Sequence, residues 1–420
     1  MKRFAWLLGA GAACGAVVFA VACLLARPGG LRVGEGPVPT PSTTLDRAEF
    51  WTAVRDFDLA SAFRADRPPD RRRFALALRM VAEGRRTEAV GEFSALSDNA
   101  NETRIREESK EALKRLLRAT ARWDEPAGLD PDGLEGEAYR GALPQRIRFP
   151  DEPVQLATEI GWLRIPRVHV ELNGRGYTFA VDSGADPTVI TDEVAAKCGI
   201  EVGAQAALTE TSTRRRVEWR AAVARELRLG GIVLSNHPIA VVSKEDLDLG
   251  LIQLDGILGW PVFEHMRVEI DYGNGVTTLS EPDARSVGRP RNLFWLGYPM
   301  VELRGPNGVP LFFGLDTGAR DTSLNKNILN KLDLEFAEPR RRLSIGAGGA
   351  ETVSTRRVSG FRMLLGGRVF SFDKISIKGG VKDLAVFEPD GRLGGDVAYG
   401  GKMIVDFPNG RFDLEALIRD

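Results

Sequence analysis

Two short segments place an aspartate where it could take part in hydrolysis. Residues 179–190 are Phe-Ala-Val-Asp-Ser-Gly-Ala-Asp-Pro-Thr-Val-Ile, and residues 313–324 are Phe-Gly-Leu-Asp-Thr-Gly-Ala-Arg-Asp-Thr-Ser-Leu. In each, apolar residues lead into an aspartate, Asp182 or Asp316, which is followed by a hydroxyl residue, a glycine and an alanine. Two facing carboxyls can share one proton because like charges in contact cannot both ionise. Such a pair could activate a water molecule and protonate a carbonyl oxygen.

A second pair of matching segments lies further along the chain. Residues 255–259 are Asp-Gly-Ile-Leu-Gly and residues 390–394 are Asp-Gly-Arg-Leu-Gly, so the final glycines follow the two aspartates by 77 and 78 positions. Asp271 and Asp406 extend the match, 135 positions apart. A period of this length is too long for a solenoid repeat. It indicates a duplicated domain of about 120 residues, within the usual size range.

These motifs resemble the Asp-Thr/Ser-Gly-Ala signature of the retropepsin-like aspartic proteases, of the bacterial kind that carries two lobes in one chain. The resemblance covers residues 155–420. It implies a mainly β fold, with two tandem retropepsin-like acid-protease lobes forming a pseudo-two-fold bilobal domain. It also implies that Asp182 and Asp316, one from each lobe, form the catalytic dyad of an aspartic endopeptidase.

The resemblance implies supporting roles for the residues around the dyad. In the family, the hydroxyl residue after each aspartate bonds across the lobe interface, the glycine permits a tight turn, and an apolar segment backs the loop. The expected loop-support residues are Ser183, Gly184, Ala185, Thr188, Thr317, Gly318, Ala319 and Thr322. The expected backing residues are Ile257, Leu258, Gly259, Leu393 and Gly394. Arg392 departs from the pattern because it stands where an apolar residue is expected.

The resemblance also implies a hairpin flap that closes over the substrate. Residues 344–350, Ser-Ile-Gly-Ala-Gly-Gly-Ala, begin 28 positions after Asp316 and have the composition of a mobile hairpin tip. The flap and substrate-binding residues predicted there are Ile345, Gly346, Ala347, Gly348 and Gly349. The corresponding stretch of lobe one, 209–213, has Thr211 as its predicted flap residue and contains no glycine. An ordinary glycine-rich turn is the alternative for 344–350.

The alternative to an enzyme is a non-catalytic peptide-binding module that retains the acid-protease fold. Arg392 and the polar flap of lobe one favour the module, whereas retention of both aspartates favours the protease. In either case the expected partner is a peptide or protein, held in an extended form by main-chain hydrogen bonds. Two unrelated surface turns would also explain the Asp motifs, but the matched second segments argue against that explanation.

The N-terminus has the pattern of an export segment. Lys2 and Arg3 precede an uncharged run over 4–26, which is long enough to span a bilayer core. The basic end should stay cytoplasmic, so residues 1–30 are expected to be a signal peptide or membrane anchor for an extracytoplasmic or periplasmic chain. Residues 20–22 resemble a signal-peptidase site and Cys23 resembles a lipid acceptor. Anchor, cleaved signal and lipidated cysteine therefore all stay open.

Composition divides the rest of the chain into successive regions. Residues 31–44 are rich in proline and glycine and predict a tether. Apolar stripes at helical spacing over 45–123 predict a small helical region, loosely similar to tetratricopeptide hairpins, that could position the enzyme or bind a partner protein. Residues 124–154 are predicted to be a linker. Short β runs then define lobe one over 155–285 and lobe two over 286–420.

The composition argues against several other classes of function. The net charge of −1 gives no electrostatic case for binding nucleic acid. His169, His237 and His265 have no metal-binding spacing, so we expect neither a metal nor any other cofactor. Cys198 is the only cysteine beyond the N-terminal segment. The lobes must therefore be held together by their cores rather than by an internal disulfide.

Overall fold

The structure is a computed structural model of the chain. It describes residues 31–34, 49–119, 124–129, 133–161, 163–210, 216–248, 253–346, 349–378 and 386–415. The predicted export segment, the rest of the predicted tether, and the predicted flap residues Thr211, Ala347 and Gly348 lie outside the described residues. None of the helices in the described part of the chain has both the length and the apolar composition of a membrane span.

Most of the helices lie between residues 50 and 139. The described helices are α1 Phe50–Arg55, α2 Leu59–Ala62, α3 Pro69–Ala82, α4 Arg86–Asn99, α5 Thr103–Ala119, α6 Asp124–Leu129, α7 Leu134–Tyr139 and α8 Asp192–Lys197. Pro69 opens α3, where its missing N–H would have had no partner, and Gly84 follows the helix end with φ of +78°. Phe74, Leu78 and Phe93 of the predicted apolar stripes are fully buried. Helices α1 to α5 thus pack as a small bundle.

Strands make up most of the chain after residue 145. Strand β1, Leu31–Gly34, precedes the helices. From residue 146 to the end of lobe one the described strands are β2 Arg146–Arg148, β3 Val154–Glu159, β4 Arg167–Leu172, β5 Arg175–Asp182, β6 Thr188–Thr191, β7 Ala207–Glu210, β8 Arg216–Leu229, β9 Ile232–Val242, β10 Gly256–Gly259, β11 Arg267–Asp271 and β12 Val276–Ser280. In lobe two they are β13 Leu293–Trp295, β14 Pro299–Arg304, β15 Pro310–Leu315, β16 Ser323–Asn325, β17 Phe336–Gly346, β18 Gly349–Leu365, β19 Arg368–Lys378, β20 Gly391–Leu393, β21 Lys402–Asp406 and β22 Arg411–Glu415. The predicted mainly β fold is confirmed.

The two repeats form six-stranded barrels of the same topology. In lobe one the order is β4, β5, β10, β6, β9 and β8, and β8 pairs again with β4. In lobe two the order is β14, β15, β20, β16, β19 and β18, and β18 pairs again with β14. Strand β4 illustrates the pattern, since Val168, Val170 and Leu172 point inward at a period of two. The two tandem retropepsin-like lobes predicted from the repeat are confirmed.

A continuous antiparallel sheet joins the lobes. Strands β22 and β21 of lobe two lie beside β11 and β12 of lobe one, with β3 next in order. Glu269 pairs with Ile404 at the centre of the contact, and next to them Ile270 pairs with Met403, with both of these side chains buried. Strands β15, β16, β20, β21 and β22 of lobe two begin 135 positions after β5, β6, β10, β11 and β12 of lobe one. The lobes are therefore related by a pseudo-two-fold axis that passes through this sheet.

Parts of the predicted tether and linker belong to the lobes. Strand β1 pairs with β19 and covers an edge of lobe two that would otherwise present unpaired N–H and C=O groups. Strand β2 pairs with β9 of lobe one. Helices α6 and α7 lie in the predicted linker, and Tyr139 of α7 packs on Ala221 of β8. Such short elements bury too few residues to leave a clear periodic signal in the sequence.

The helical bundle packs against lobe two. Phe57 stacks on Phe294, with ring centroids 4.3 Å apart, and contacts Phe312 and Phe387 edge-on at 4.8 Å each. Phe57 has φ of +57°, a conformation that bulky residues rarely adopt. The aromatic cluster holds it in that conformation, and the bundle shares a hydrophobic core with the lobe.

Candidate active site

Each aspartate lies at the end of a strand that the backing segment supports. Asp182 ends β5, and the parallel register with β10 sets Gly259 beside it. A side chain at Gly259 would have its Cβ 2.7 Å from the Pro187 carbonyl carbon, so only glycine fits. In lobe two Asp316 follows β15, and its N–H donates to the Leu393 carbonyl at 3.0 Å. The predicted backing segments therefore lie directly behind both loops.

The loops after the two aspartates are built in the same way. The N–H groups of Ala185 and Ala319 each donate at 3.1 Å to the carbonyl of the aspartate three residues earlier, which closes a tight turn. The carbonyl of Ala185 then accepts the Trp260 N–H at 3.0 Å, and that of Ala319 accepts the Gly395 N–H at 2.9 Å. Each alanine thus ties its loop to the residue that follows the backing glycine.

Two hydroxyl residues bond reciprocally across the lobe interface. The Ser183 hydroxyl accepts the Thr317 N–H at 3.1 Å and donates to the Leu315 carbonyl at 2.9 Å. The Thr317 hydroxyl accepts the Ser183 N–H at 3.0 Å and donates to the Val181 carbonyl at 2.8 Å. Both hydroxyl residues are buried. Each lobe therefore fixes the backbone just before the aspartate of the other lobe.

The two carboxyls meet where these loops cross. The Asp182 carboxyl lies against the Asp316 carboxyl, and its Oδ1 accepts the Gly184 N–H at 2.8 Å. A Cβ on Gly184 would lie 2.8 Å from Cγ of Asp316, and a Cβ on Gly318 would collide with the Asp182 carboxyl. Glycine is required at both positions because each loop packs directly on the carboxyl of the opposite lobe.

The environment of Asp182 favours its protonated form. Burial raises the pKa of Asp182 to about 7, and the neighbouring charge of Asp316 contributes in the same direction. The Gly184 N–H and the charge of Arg392 act in the opposite sense and limit the shift. A carboxyl that keeps its proton near neutral pH, in contact with a second carboxyl, has the electrostatic character of a shared-proton pair.

The two predicted support threonines have different buried partners. The Thr188 hydroxyl lies 3.3 Å from the Gly259 N–H and 2.9 Å from Nε2 of His237, whose Nδ1 lies 2.9 Å from the Gln145 side-chain oxygen. Burial lowers the pKa of His237 to about 3, so the ring is neutral. His237 therefore supports the loop of lobe one through Thr188.

In lobe two a carboxyl takes the place of that imidazole. The Thr322 hydroxyl donates to Oδ1 of Asp396 at 2.5 Å and accepts the Gly394 N–H at 3.1 Å. The Thr322 N–H donates to Oδ2 of Asp396 at 2.9 Å. Burial raises the pKa of Asp396 to about 7, although these hydrogen bonds oppose the shift. The matched threonine of each repeat thus accepts the N–H of the backing glycine. The side chain that contacts the threonine hydroxyl differs, and is His237 in lobe one and Asp396 in lobe two.

Arg392 contacts the dyad directly. Its Nη1 atom donates to Oδ2 of Asp316 at 3.1 Å, and both side chains are mostly buried. In the parallel register of β20 with β15, Arg392 lies beside Gly314, whereas Ile257 lies beside Ala180 in lobe one. The lobes therefore differ at the position that contacts the dyad in lobe two.

The predicted flap of lobe two lies on a long hairpin. Ile345 pairs with Ala350 and Gly346 pairs with Gly349, so β17 and β18 stay paired as far as these residues. In lobe one β7 pairs with the start of β8, and residues 211–215 between them lie outside the described residues. Among the described residues, no group of three or more His, Cys, Asp and Glu side chains could hold a metal ion.

Several residues at the site were not identified as functional from the sequence. They are Tyr298, Tyr272, Asp396 and His237, together with the contact that Arg392 makes. Only Arg392 left a signal, because a charged residue interrupts an otherwise apolar segment. Alternation along the strand could have extended that signal, since Leu393 points into the core and its neighbour must face the other way.

Comparison with protein-family models supports the assignment of the lobe-one motif. Residues 168–262, which include Asp182 and its backing segment, match the aspartyl protease family model. Among solved structures, the chain is similar to a retropepsin-like aspartic protease from Rickettsia conorii, with 20% identity over 32% of this chain and 90% of that chain and a TM-score of 0.22. The comparison with curated proteins gave no match. The resemblance to the retropepsin-like aspartic proteases, predicted from the paired Asp motifs, is confirmed.

Proposed function

We propose that the chain is an aspartic endopeptidase in which Asp182 and Asp316 activate a water molecule. The observation that carries the proposal is the contact between the two carboxyls, one from each lobe, at the ends of loops of the same construction. The reciprocal hydroxyl bonds of Ser183 and Thr317 support it, because they fix the relative position of the two carboxyls.

The proposed reaction uses one proton shared by the dyad. The ionised carboxyl takes a proton from the water molecule while the water oxygen attacks the peptide carbonyl carbon. At the same time the protonated carboxyl donates its proton to the carbonyl oxygen. The resulting diol collapses when the newly protonated carboxyl donates to the leaving nitrogen and the other carboxyl takes back the diol proton. The C–N bond breaks, and the dyad returns to its starting state with one proton.

The proposed substrate is an extended segment of a peptide or protein between the two lobes. Extended binding suits β lobes because main-chain hydrogen bonds provide affinity and alternate side chains provide selectivity. The β17–β18 hairpin is the proposed flap, with Ile345, Gly346 and Gly349 near its tip. Thr211, Ala347 and Gly348, which lie outside the described residues, are proposed as flap residues from the sequence alone. The helical region is proposed to position the enzyme or to receive a partner protein.

We also propose that the chain is exported and held at the membrane on its extracytoplasmic side. The uncharged run over 4–26 behind Lys2 and Arg3 supports this location. Cell fractionation with a C-terminal tag should recover the protein with the membrane or in the extracytoplasmic fraction. Recovery as a soluble cytoplasmic protein would contradict the proposal.

A second candidate function is peptide binding without cleavage. The contact between Arg392 and Asp316 favours it, because an ion pair on one carboxyl changes the symmetric arrangement on which a shared proton depends. The two candidates agree on a peptide partner and differ only in turnover.

Digestion of a peptide library by the full-length protein in detergent decides between them. Wild-type protein should cleave a subset of peptides, and Asp182→Asn and Asp316→Asn should each lower kcat by roughly 10⁴-fold or more, since residues that act as a unit are not additive. Asp151→Asn, at an exposed position, is the matched control and should keep full activity. Cleavage that survives in either dyad variant contradicts the proposed mechanism. Binding without cleavage by the wild type favours the second candidate.

A further inference from the structure

We propose that Arg392 is a positioning residue that makes the two carboxyls of the dyad unequal, holding Asp316 as the carboxylate and leaving the shared proton on Asp182. The proposal rests on the proposed endopeptidase function and assigns the roles within it. Asp316 would take the proton from water, and Asp182 would donate to the peptide carbonyl oxygen.

The geometry of the ion pair leaves the dyad contact intact. Arg392 bonds Oδ2 of Asp316 at 3.1 Å, whereas Oδ1 of Asp316 faces the opposite loop, where a Cβ on Gly184 would lie 3.0 Å away. The guanidinium is therefore on the side of the carboxylate away from that loop. The side chain of Arg392 is 22% exposed and that of Asp316 is 12% exposed, so solvent screens the pair only weakly.

Three matched positions show that the arrangement is built into lobe two. Lobe one has Ile165, Ala180 and Ile257 in one apolar cluster beside its aspartate. Their counterparts in lobe two, 133 to 135 residues later, are Tyr298, Gly314 and Arg392. A Cβ at Gly314 would collide with the Tyr298 ring, so glycine at 314 makes the room that this ring occupies. The three lobe-two residues thus fit one another as a set.

Lobe one has the same barrel topology with Ile257 at the position of Arg392, so this fold does not require an arginine there. Leu258 and Leu393 fill the same core position behind their loops, and both are fully buried. Ile257, the counterpart of Arg392, is also mostly buried, in an apolar setting. A buried ion pair often contributes less to stability than an apolar pair of similar volume. The arginine is therefore better explained by its effect on the dyad than by packing.

Several charged and titratable groups surround the ion pair between Arg392 and Asp316. Those that face it are Asp182 from the loop after β5, Tyr298 before β14, and Tyr272 after β11, with Asp396 beyond Tyr272. Burial, the largest single influence, lowers the pKa of Arg392, but Asp316, Tyr298 and Asp182 together raise it. Burial and the negative charge of Asp316 raise the pKa of both tyrosines, so they stay neutral. Arg392 is the positive group of this set.

A fixed positive charge on the dyad makes a testable difference to its pH dependence. The working dyad carries one negative charge, and Arg392 stabilises negative charge on Asp316. The first deprotonation of the dyad creates its single negative charge, and the second deprotonation adds another. Both should therefore occur at lower pH with Arg392 present than without it. Removing the charge should move both limbs of the bell-shaped profile to higher pH, by about one to three units.

The test compares variants of the full-length protein by two measurements. Arg392→Ile installs the residue of lobe one, Arg392→Gln removes the charge but keeps hydrogen-bonding capacity, and Arg392→Lys keeps the charge. Arg304→Ile removes a lobe-two arginine that pairs with Glu302 away from the dyad, and it is the matched control. For each, the pH profile of kcat/KM on a cleaved peptide and the pH dependence of the Kd for a statine-containing peptide are measured.

The expected result is an upward shift of both limbs in the Ile and Gln variants, with Lys close to wild type and no shift in the control. A fall in kcat without any shift of the limbs would mean that Arg392 only supports the fold, and would overturn the proposal. So would activity that appears in Arg392→Ile but is absent from the wild type. If the wild type binds the statine peptide but cleaves nothing, the endopeptidase proposal fails, while the shift in binding still decides the role of Arg392.

Discussion

The Nζ atom of Lys331 lies 2.8 Å from Oδ2 of Asp390, and both side chains are almost wholly buried. The same carboxylate oxygen accepts the Phe312 N–H at 2.9 Å, and Lys331 also donates to the Asp56 carbonyl of the helical bundle at 2.9 Å. Asp390 stands two residues before Arg392, so this pair fixes the start of the strand that carries the arginine to the dyad. It also joins the bundle to the back of the candidate site.

Breaking this pair from one side should destabilise the protein strongly. Lys331→Met leaves Asp390 buried without its counter-charge, and such changes cost about 3–5 kcal/mol. Burial already raises the pKa of Asp390 despite the attraction of Lys331, which shows how unfavourable the isolated carboxylate would be. Denaturant unfolding should therefore show a midpoint well below that of the wild type.

A double variant separates the lost charge from the lost side chain. Adding Asp390→Asn to Lys331→Met removes the unpaired charge but keeps an oxygen for the Phe312 N–H, so much of the lost stability should return. Lys326→Met, at an exposed position five residues earlier, is the control and should unfold like the wild type. If the double variant is as unstable as the single one, the charge is not the cause.

Much of this architecture could be predicted from the sequence because it depends on local pattern. The repeat, the strands leading into Asp182 and Asp316, and the backing glycines all follow from spacing and alternation. The contact between Lys331 and Asp390 does not, since it joins residues 59 positions apart that have no shared motif. The packing of the bundle on lobe two through Phe57 could not be predicted either, because the sequence does not show which residues an apolar side chain in a turn will contact.

The site shows the same division between local and long-range information. The hydroxyl bonds of Ser183 and Thr317 were expected only through the resemblance, since no local feature links residues 134 positions apart. Asp396 and His237 left no signal, because each is a single polar residue whose partner, Thr322 or Thr188, lies far away in the chain. Their roles depend on burial, which a single sequence indicates poorly for polar residues.

The hydroxyl bonds should contribute both to stability and to turnover. Ser183→Ala and Thr317→Val each remove one acceptor for a buried N–H and one donor for a buried carbonyl. Leaving such groups unpaired costs about 1–3 kcal/mol. Because the pattern is reciprocal, the two variants should lose similar amounts of stability, measured by denaturant unfolding, and both should lower kcat more than they raise KM.

Ser359→Ala is the control for these variants. It removes a hydroxyl from an exposed position on β18 and should change neither stability nor kcat. A loss confined to Ser183→Ala, with Thr317→Val like the wild type, would contradict the reciprocal role of the two hydroxyls.

The last prediction concerns the dependence of stability on pH. In the unfolded chain Asp396 should lose its proton near pH 4, whereas burial raises its pKa to about 7 in the folded protein. Between these values the folded state binds more protons than the unfolded state, so stability rises as pH falls from about 7 to about 4. The contribution is lost as pH rises through 7, and Asp182 acts in the same direction because its pKa is also raised to about 7.

Asp396→Asn should remove part of this dependence. The amide carries no charge at any pH, so the variant has no penalty for ionising a buried carboxyl at pH 8, although one hydrogen bond with Thr322 must reverse its direction. One unit of pKa shift corresponds to about 1.4 kcal/mol. The fall in unfolding free energy between pH 5 and pH 8 should therefore be smaller in the variant by more than about 1 kcal/mol. Asp151→Asn, which changes an exposed carboxyl, should follow the wild-type curve. Parallel curves for wild type and Asp396→Asn would show that this carboxyl ionises as easily in the folded protein as in the unfolded chain.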